Sequence, residues 1–160
     1  MLDGSGTEVA RVAYLEPGQV VTTDAGWTLK TVLGSCVAVT LFDAYACLGG
    51  MNHFLLPDGE SEENPTRYGQ GALRTLLARL EQLGSRTSDL TAGIFGGACM
   101  LDELSNVMHL GERNVELACA WLEQRRIPVV ARDVLGRQAR RLEFRVADGS
   151  TRVRLLGGGR

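Results

Sequence analysis

The sequence predicts an α+β domain in which helices cover the faces of a mixed or mainly antiparallel sheet. Three observations carry that expectation. Strand-like runs outnumber helical ones, several of their connections are of hairpin length, and two segments repeat apolar residues at helical spacing. The 160 residues suffice to close one hydrophobic core without staples. No linker, repeat or low-complexity block divides residues 1–160, so one domain is expected, with flexible ends at about 1–8 and 157–160.

Residues 37–42 (VAVTLF) form the first expected strand, and 47–56, with Gly49-Gly50 inside, the second. The polar stretch 58–66 (DGESEENPT) reads as an exposed loop. Residues 69–83 read as a helix: Leu73, Leu76, Leu77, Leu80 and Leu83 recur at helical spacing, and Gly84 stops it. A third strand is expected over 91–95. Residues 112–126 make a second helix, with Val115, Ala118, Cys119 and Leu122 on one face. Glu112 near its start and Arg125-Arg126 near its end suit the helix dipole, and Pro128 closes it. Strands over 128–131, 142–146 and 153–156 follow, the last two joined at the turn signal Asp148-Gly149.

With a formal net charge of −2 and a pI near 5.7, the chain lacks the electrostatic footprint of a nucleic-acid binder. Its late arginines (Arg125, Arg126, Arg132, Arg137, Arg140, Arg141) suit either an acidic protein partner or an ordinary solvated surface. No apolar run reaches the roughly 20 residues that span a bilayer. The N-terminus lacks the basic start and apolar stretch of a signal peptide. A cytoplasmic location without membrane insertion is therefore expected, with Cys36, Cys47, Cys99 and Cys119 as thiols. No C-x-x-C pair occurs, and a zinc site from Cys36, His53 and another cysteine lacks ligand spacing.

Of two histidines, His109 reads as exposed and His53 lies in a strand-like run. A hairpin around Asp43-Ala44 would set Cys36 opposite His53, with a bulge at Gly49-Gly50 able to shift that register. A cysteine thiol has a pKa of roughly 8.5, and its thiolate is the nucleophile. A neighbouring imidazole can take the proton and later protonate a departing amine. Backbone N–H groups at the Leu33-Gly34-Ser35 turn could bind an oxyanion. A cysteine in an apolar strand is nonetheless more often a small core residue, and a histidine beside Phe54 is more often a satisfied one. Both readings stand on pattern alone.

Leu33-Gly34-Ser35-Cys36-Val37-Ala38-Val39, followed by Gly49-Gly50-Met51-Asn52-His53-Phe54-Leu55-Leu56-Pro57, resembles the CheD family of chemoreceptor glutamine deamidases. The resemblance continues in Tyr68, in Ile94-Phe95-Gly96-Gly97-Ala98 with Met100, and in Leu110-Gly111-Glu112-Arg113-Asn114-Val115. It implies a layered α+β fold with a β-sandwich-like centre and helices outside. It also implies Cys36 as nucleophile, His53 as general base, and a threonine shortly before L-G-S-C that orients the base: Thr31, with Thr28 as the alternative. Ser35, Asn52, Tyr68, Gly96 and Gly97 are the matching candidates for substrate contact. For Tyr68, capping the first helix serves as well, and for Gly96-Gly97 a tight turn or close packing is the plainer reading. The implied substrate is glutamine on the cytoplasmic helices of methyl-accepting chemoreceptors, and glutamate methyl esters there present a similar carbonyl. No metal or organic cofactor is implied. An alternative role is regulatory partner of a CheC-type phosphatase, and a deamidating toxin with another target is a remoter one. The segment Asp133-Val134-Leu135-Gly136 departs from the family's usual Asp-x-Gly-Gly, and Ala139 stands where a glycine precedes Arg140.

Overall fold

A computed structural model describes residue 4, residues 11–100 and residues 109–157. The expected flexible ends lie largely outside the described residues. In chain order the elements are β1 (Arg11–Tyr14), β2 (Val20–Asp24), β3 (Trp27–Leu33), β4 (Val37–Asp43), β5 (Leu48–Asn52), α1 (Gly69–Gln82), β6 (Leu90–Gly96), α2 (Leu110–Gln124), β7 (Val129–Val134), β8 (Arg140–Arg145) and β9 (Thr151–Leu155). They build two mixed sheets, one ordered β1-β3-β8-β9 and the other β2-β5-β4-β6-β7. Only β1–β3 and β6–β7 run parallel; the remaining neighbours are antiparallel.

The five-stranded sheet is the middle layer. Its β4 is buried along nearly its whole length, because side chains on both faces meet a partner layer. Val37, Val39 and Leu41 pack with Leu73, Leu76 and Leu80 of α1 and with Val115, Ala118 and Leu122 of α2. Ala38, on the opposite face, joins Leu29, Leu33, Phe95, Leu142 and Phe144 between the sheets. Each fully buried leucine or phenylalanine contributes about 1.5–3 kcal/mol. The four-stranded sheet is one-sided. In β3, Leu29, Thr31 and Leu33 turn inward while Val32 is exposed.

Both helices form where leucine and alanine spacing predicts them, with shifted ends. α1 stops at Gln82, and Leu83 is exposed beyond it. α2 begins at Leu110 and ends at Gln124, with Arg126 in the left-handed region at φ 57°. Cys119 is only partly buried against the helix-side core. The second expected strand is shorter than 47–56: after Asn52 only isolated bridges remain, Phe54 to Val37 and Leu56 to Tyr68. The strands before residue 37 have no counterpart in the sequence reading. β1 and β2 are short, and β3 interleaves Lys30 and two threonines, which breaks the apolar alternation.

Candidate active site

The Gly34-Ser35-Cys36 turn is where the chain leaves β3 of one sheet and enters β4 of the other. Its carbonyls are all held. Gly34 O accepts from Ala98 N at 2.9 Å, Cys36 O from Gly97 N at 2.8 Å, and Ser35 O from Asn114 Nδ2 at 3.1 Å. Among the described residues the Ser35 N–H has no hydrogen-bond partner, and the Cys36 N–H is turned to its own sulfur. Gly96 (φ 103°) and Gly97 (φ 72°) are required by closeness as well as by conformation. A Cβ at Gly96 would lie 2.2 Å from Cys36 O, and one at Gly97 would strike Val115 and Gly111 O. They brace the turn from behind.

The register of β4 with β5 corrects the expected pairing. Thr40 opposes Met51, and Val37 exchanges hydrogen bonds of 3.1 and 3.0 Å with Phe54. His53 therefore lies opposite Ala38, and Cys36 opposite Leu55. The loop spans residues 44–47, where Asp43 Oδ1 accepts from the N–H groups of Tyr45 and Ala46, and Cys47 adopts φ 56°. Its centre falls one residue later than the pairing of Cys36 with His53 requires. The partner of Cys36 moves by two positions, which keeps its side chain on the face of His53 as a diagonal neighbour, with Cα atoms at about 7–8 Å.

His53 is 2% exposed, and its ring is fixed from the facing sheet. Thr31 Oγ1 lies 2.7 Å from His53 Nδ1 and 2.9 Å from Leu15 O. A carbonyl only accepts, so the single hydroxyl proton goes to Leu15 O, and Thr31 must accept from the imidazole. That network assigns the proton to Nδ1 and leaves Nε2 with its lone pair. Nε2 is buried and has no partner among the described residues. Burial without a compensating anion lowers the His53 pKa to about 4, so the ring is neutral near pH 7. Burial also pushes the half-buried Cys36 thiol up, partly offset by its own backbone N–H. The resting pair is thus thiol and neutral imidazole, not a standing ion pair. Such a pair can pass one proton from sulfur to Nε2 as the sulfur attacks an electrophile.

Thr31 and Thr28 separate by face. Thr28 opposes Arg145 on the outward side of β3, whereas Thr31 points between the sheets. Asn52 requires a correction: it is fully buried, with Oδ1 accepting from Val39 N at 2.9 Å, so it closes a gap in the β4/β5 ladder and presents no surface to a substrate. Gly96 and Gly97 are likewise buried behind the turn, not along a groove. Tyr68 is the N-cap residue of α1 and lies against Gly59, where a Cβ would be 2.4 Å from its ring. Ser35 is half-buried, with its carbonyl turned to Asn114. Beside Thr31 and His53 opens a cleft of about 180 Å³, rimmed by Tyr14, Lys30, Val32 and Arg141. Among the described residues no three His, Cys, Asp or Glu side chains gather as metal ligands.

Asn114 had no role in the sequence reading. It is fully buried, and its Nδ2 donates both to Ser35 O and, at 3.0 Å, to Leu55 O. One amide thereby ties the Cys36 turn to the segment just after His53. Its sequence signals are an amide on the apolar stripe of a helix, beside Val115 and Ala118, and its place in the block 110–115 that carries the family resemblance.

The family model described as CheD chemotactic sensory transduction matches residues 55–155. A protein of Anaeromyxobacter dehalogenans named probable chemoreceptor glutamine deamidase CheD 1 is 43% identical over 143 residues, covering 89% of this chain and 84% of its own. Proteins named probable chemoreceptor glutamine deamidase CheD from Rhodospirillum rubrum (41% identity; 89% and 81% covered) and Trichlorobacter lovleyi (43%; 94% and 92%) are similar. Among solved structures, Bacillus licheniformis hypothetical protein YfiH aligns with a TM-score of 0.43 at 16% identity, over 81% of this chain and 61% of that one. Neisseria meningitidis protein NMB0706 aligns at 0.45 and 12%, over 79% and 63%.

Proposed function

This chain belongs to the CheD family, and we propose that it hydrolyses the side-chain amide of glutamines on chemoreceptors, with Cys36 as nucleophile, His53 as base and Thr31 orienting the base. The observation that carries the chemistry is the Leu15–Thr31–His53 chain of hydrogen bonds, which leaves an unprotonated Nε2 on the face shared with Cys36.

In the proposed reaction, the Cys36 sulfur attacks the amide carbon of a bound glutamine while its proton passes to His53 Nε2. The tetrahedral oxyanion forms beside the N–H groups of Ser35 and Cys36, a natural site for its stabilisation once the sulfur is bonded to carbon. Imidazolium Nε2 then gives its proton to the amide nitrogen, ammonia leaves, and a thioester remains. Water loses a proton to Nε2 and attacks the thioester, and glutamate departs as the thiol reforms. Burial that disfavours the charged ring makes the transient imidazolium a ready proton donor to the leaving nitrogen. Throughout, Nδ1–H donates to Thr31 Oγ1, and this bond strengthens when the ring is charged. The carbonyl of a glutamate methyl ester fits the same sequence, with methanol leaving.

The test of the reaction is release of ammonia, matched by glutamate formation, when the purified chain meets a chemoreceptor cytoplasmic fragment from the same organism. Absence of both removes this reading.

A further inference from the structure

The outer face of the four-stranded sheet carries no covering layer among the described residues; the helices pack on the other sheet. Strand alternation places Val12 and Tyr14 of β1, Lys30 and Val32 of β3, Arg141, Glu143 and Arg145 of β8, and Arg152 and Arg154 of β9 on it. That is five cations against one carboxylate, on a chain whose net charge is −2. Glu143 engages Lys30 at 3.1 Å and opposes Arg152, and Asp148 lies 3.9 Å from Arg145. Arg141 and Arg154 face each other across β8 and β9 with no anion partner among the described residues. Like charges directly opposite destabilise a sheet, so folding alone gives no reason for the pair.

The same face runs to a cleft on the Thr31 and His53 side of the site, whose lining does not include Cys36. Tyr14, Lys30, Val32 and Arg141 rim the cleft that reaches Thr31 and His53, and Tyr14 and Val32 are 68% and 50% exposed. Glu16 is the one carboxylate lining that cleft. We infer that this face is the docking surface for an acidic segment of the protein substrate, whose carboxylates meet Arg141 and Arg154 while the target glutamine enters beside His53. A glutamate-bearing helix supplies such carboxylates, and apolar Tyr14 and Val32 would seat its backbone-proximal surface. The inference rests on the deamidase reading for the identity of the occupant.

The test titrates a chemoreceptor cytoplasmic fragment into the full chain carrying Cys36→Ala, at low and moderate salt. The expected result is binding that weakens with salt. Adding Arg141→Glu and Arg154→Glu should weaken it at least tenfold and flatten the salt dependence, while adding Arg86→Glu, far along the chain at an exposed turn, should leave it unchanged. If the reversal variant fails to fold, Arg141→Gln with Arg154→Gln replaces it, with about threefold weakening expected. Unchanged affinity in the arginine variants, or no binding by the parent chain, overturns the inference. Tighter arginine-dependent binding to phosphatidylglycerol vesicles than to the fragment overturns it in favour of a lipid surface. Wild-type ammonia release is read separately. Turnover with arginine-independent binding removes the docking face alone, whereas arginine-dependent binding without turnover removes the deamidase reading and keeps the face.

Discussion

Replacing Thr31 by valine keeps the volume of the side chain and removes its hydroxyl. Two buried groups then lose their partner: Leu15 O, which accepts at 2.9 Å, and His53 Nδ1, at 2.7 Å. Each unsatisfied buried group costs about 1–3 kcal/mol, so the fold should lose about 2–6 kcal/mol before relaxation. The catalytic effect is separable from that loss. In the resting site the Thr31–His53 bond joins neutral groups; while the proton resides on Nε2, the donor is a cation. A hydrogen bond to a charged group is worth about 1.5–3 kcal/mol, and the part gained only in the transition state lowers kcat rather than raising KM. The neutral bond is already worth about 1 kcal/mol, so the gained part is about 0.5–2 kcal/mol. The expected fall is roughly 2- to 30-fold in kcat, with KM changed little. Thr31→Ser should recover most of it, because the hydroxyl returns. The assay is steady-state ammonia release, with ¹⁵N resonances of His53 reporting whether Nδ1 carries the proton. A folded Thr31→Val protein with kcat within twofold of wild type, or a wild-type ring protonated on Nε2, would refute the reasoning.

Three further outcomes follow from single residues. His53 ionises at about 4 in the folded protein and near 6.5 when unfolded, so the unfolded state binds the extra proton between these values. Stability is therefore full above about pH 6.5 and falls as pH drops toward 4, by at most about 3 kcal/mol. Chemical denaturation across that range should show this slope in wild type and lose it in His53→Asn; equal slopes would contradict it. Leu135 adopts φ 69° and is 38% exposed, so Leu135→Gly relieves a strained backbone and sacrifices little packing. It should gain about 1 kcal/mol, or a few degrees in Tm, and a lowered Tm would be incompatible with strain there. Asn114→Ala leaves two carbonyls without their donor and should cost about 2–4 kcal/mol. It should also speed alkylation of Cys36 by iodoacetamide, as its turn loosens; unaltered alkylation would show that Asn114 does not hold the turn.

The helix and middle-sheet layers were legible because their signals are local. Leu73, Leu76 and Leu80 recur with the period of a helix, and residues 37–42 are apolar on both faces, as a strand sandwiched between layers must be. The strands before residue 37 stayed hidden, unlike β8 and β9: β3 alternates Leu29, Thr31 and Leu33 with Thr28, Lys30 and Val32, a pattern that hydropathy alone does not separate from a loop. For the site, face parity proved more robust than register. A loop one residue off-centre moved the partner of Cys36 by two positions and left both side chains on one face. What sequence left open between Thr31 and Thr28 depends on a contact between sheets, which no local pattern encodes. The brace formed by Asn114 is equally non-local, since Ser35 and Leu55 lie far from it in the chain. Asn52 misled for a related reason: a polar residue beside His53 suggests substrate contact, but the residue is fully buried and its amide oxygen fills a gap in the ladder.

The central claim is that the Cys36 sulfur performs the attack. Its most direct test is the mass of a chemoreceptor cytoplasmic fragment after incubation with wild type and with Cys36→Ala. The account predicts a gain of roughly 1 Da per modified glutamine with wild type, since an amide NH₂ is exchanged for OH, and none above background with Cys36→Ala. A Cys36→Ala protein that modifies the fragment at the wild-type rate would contradict it.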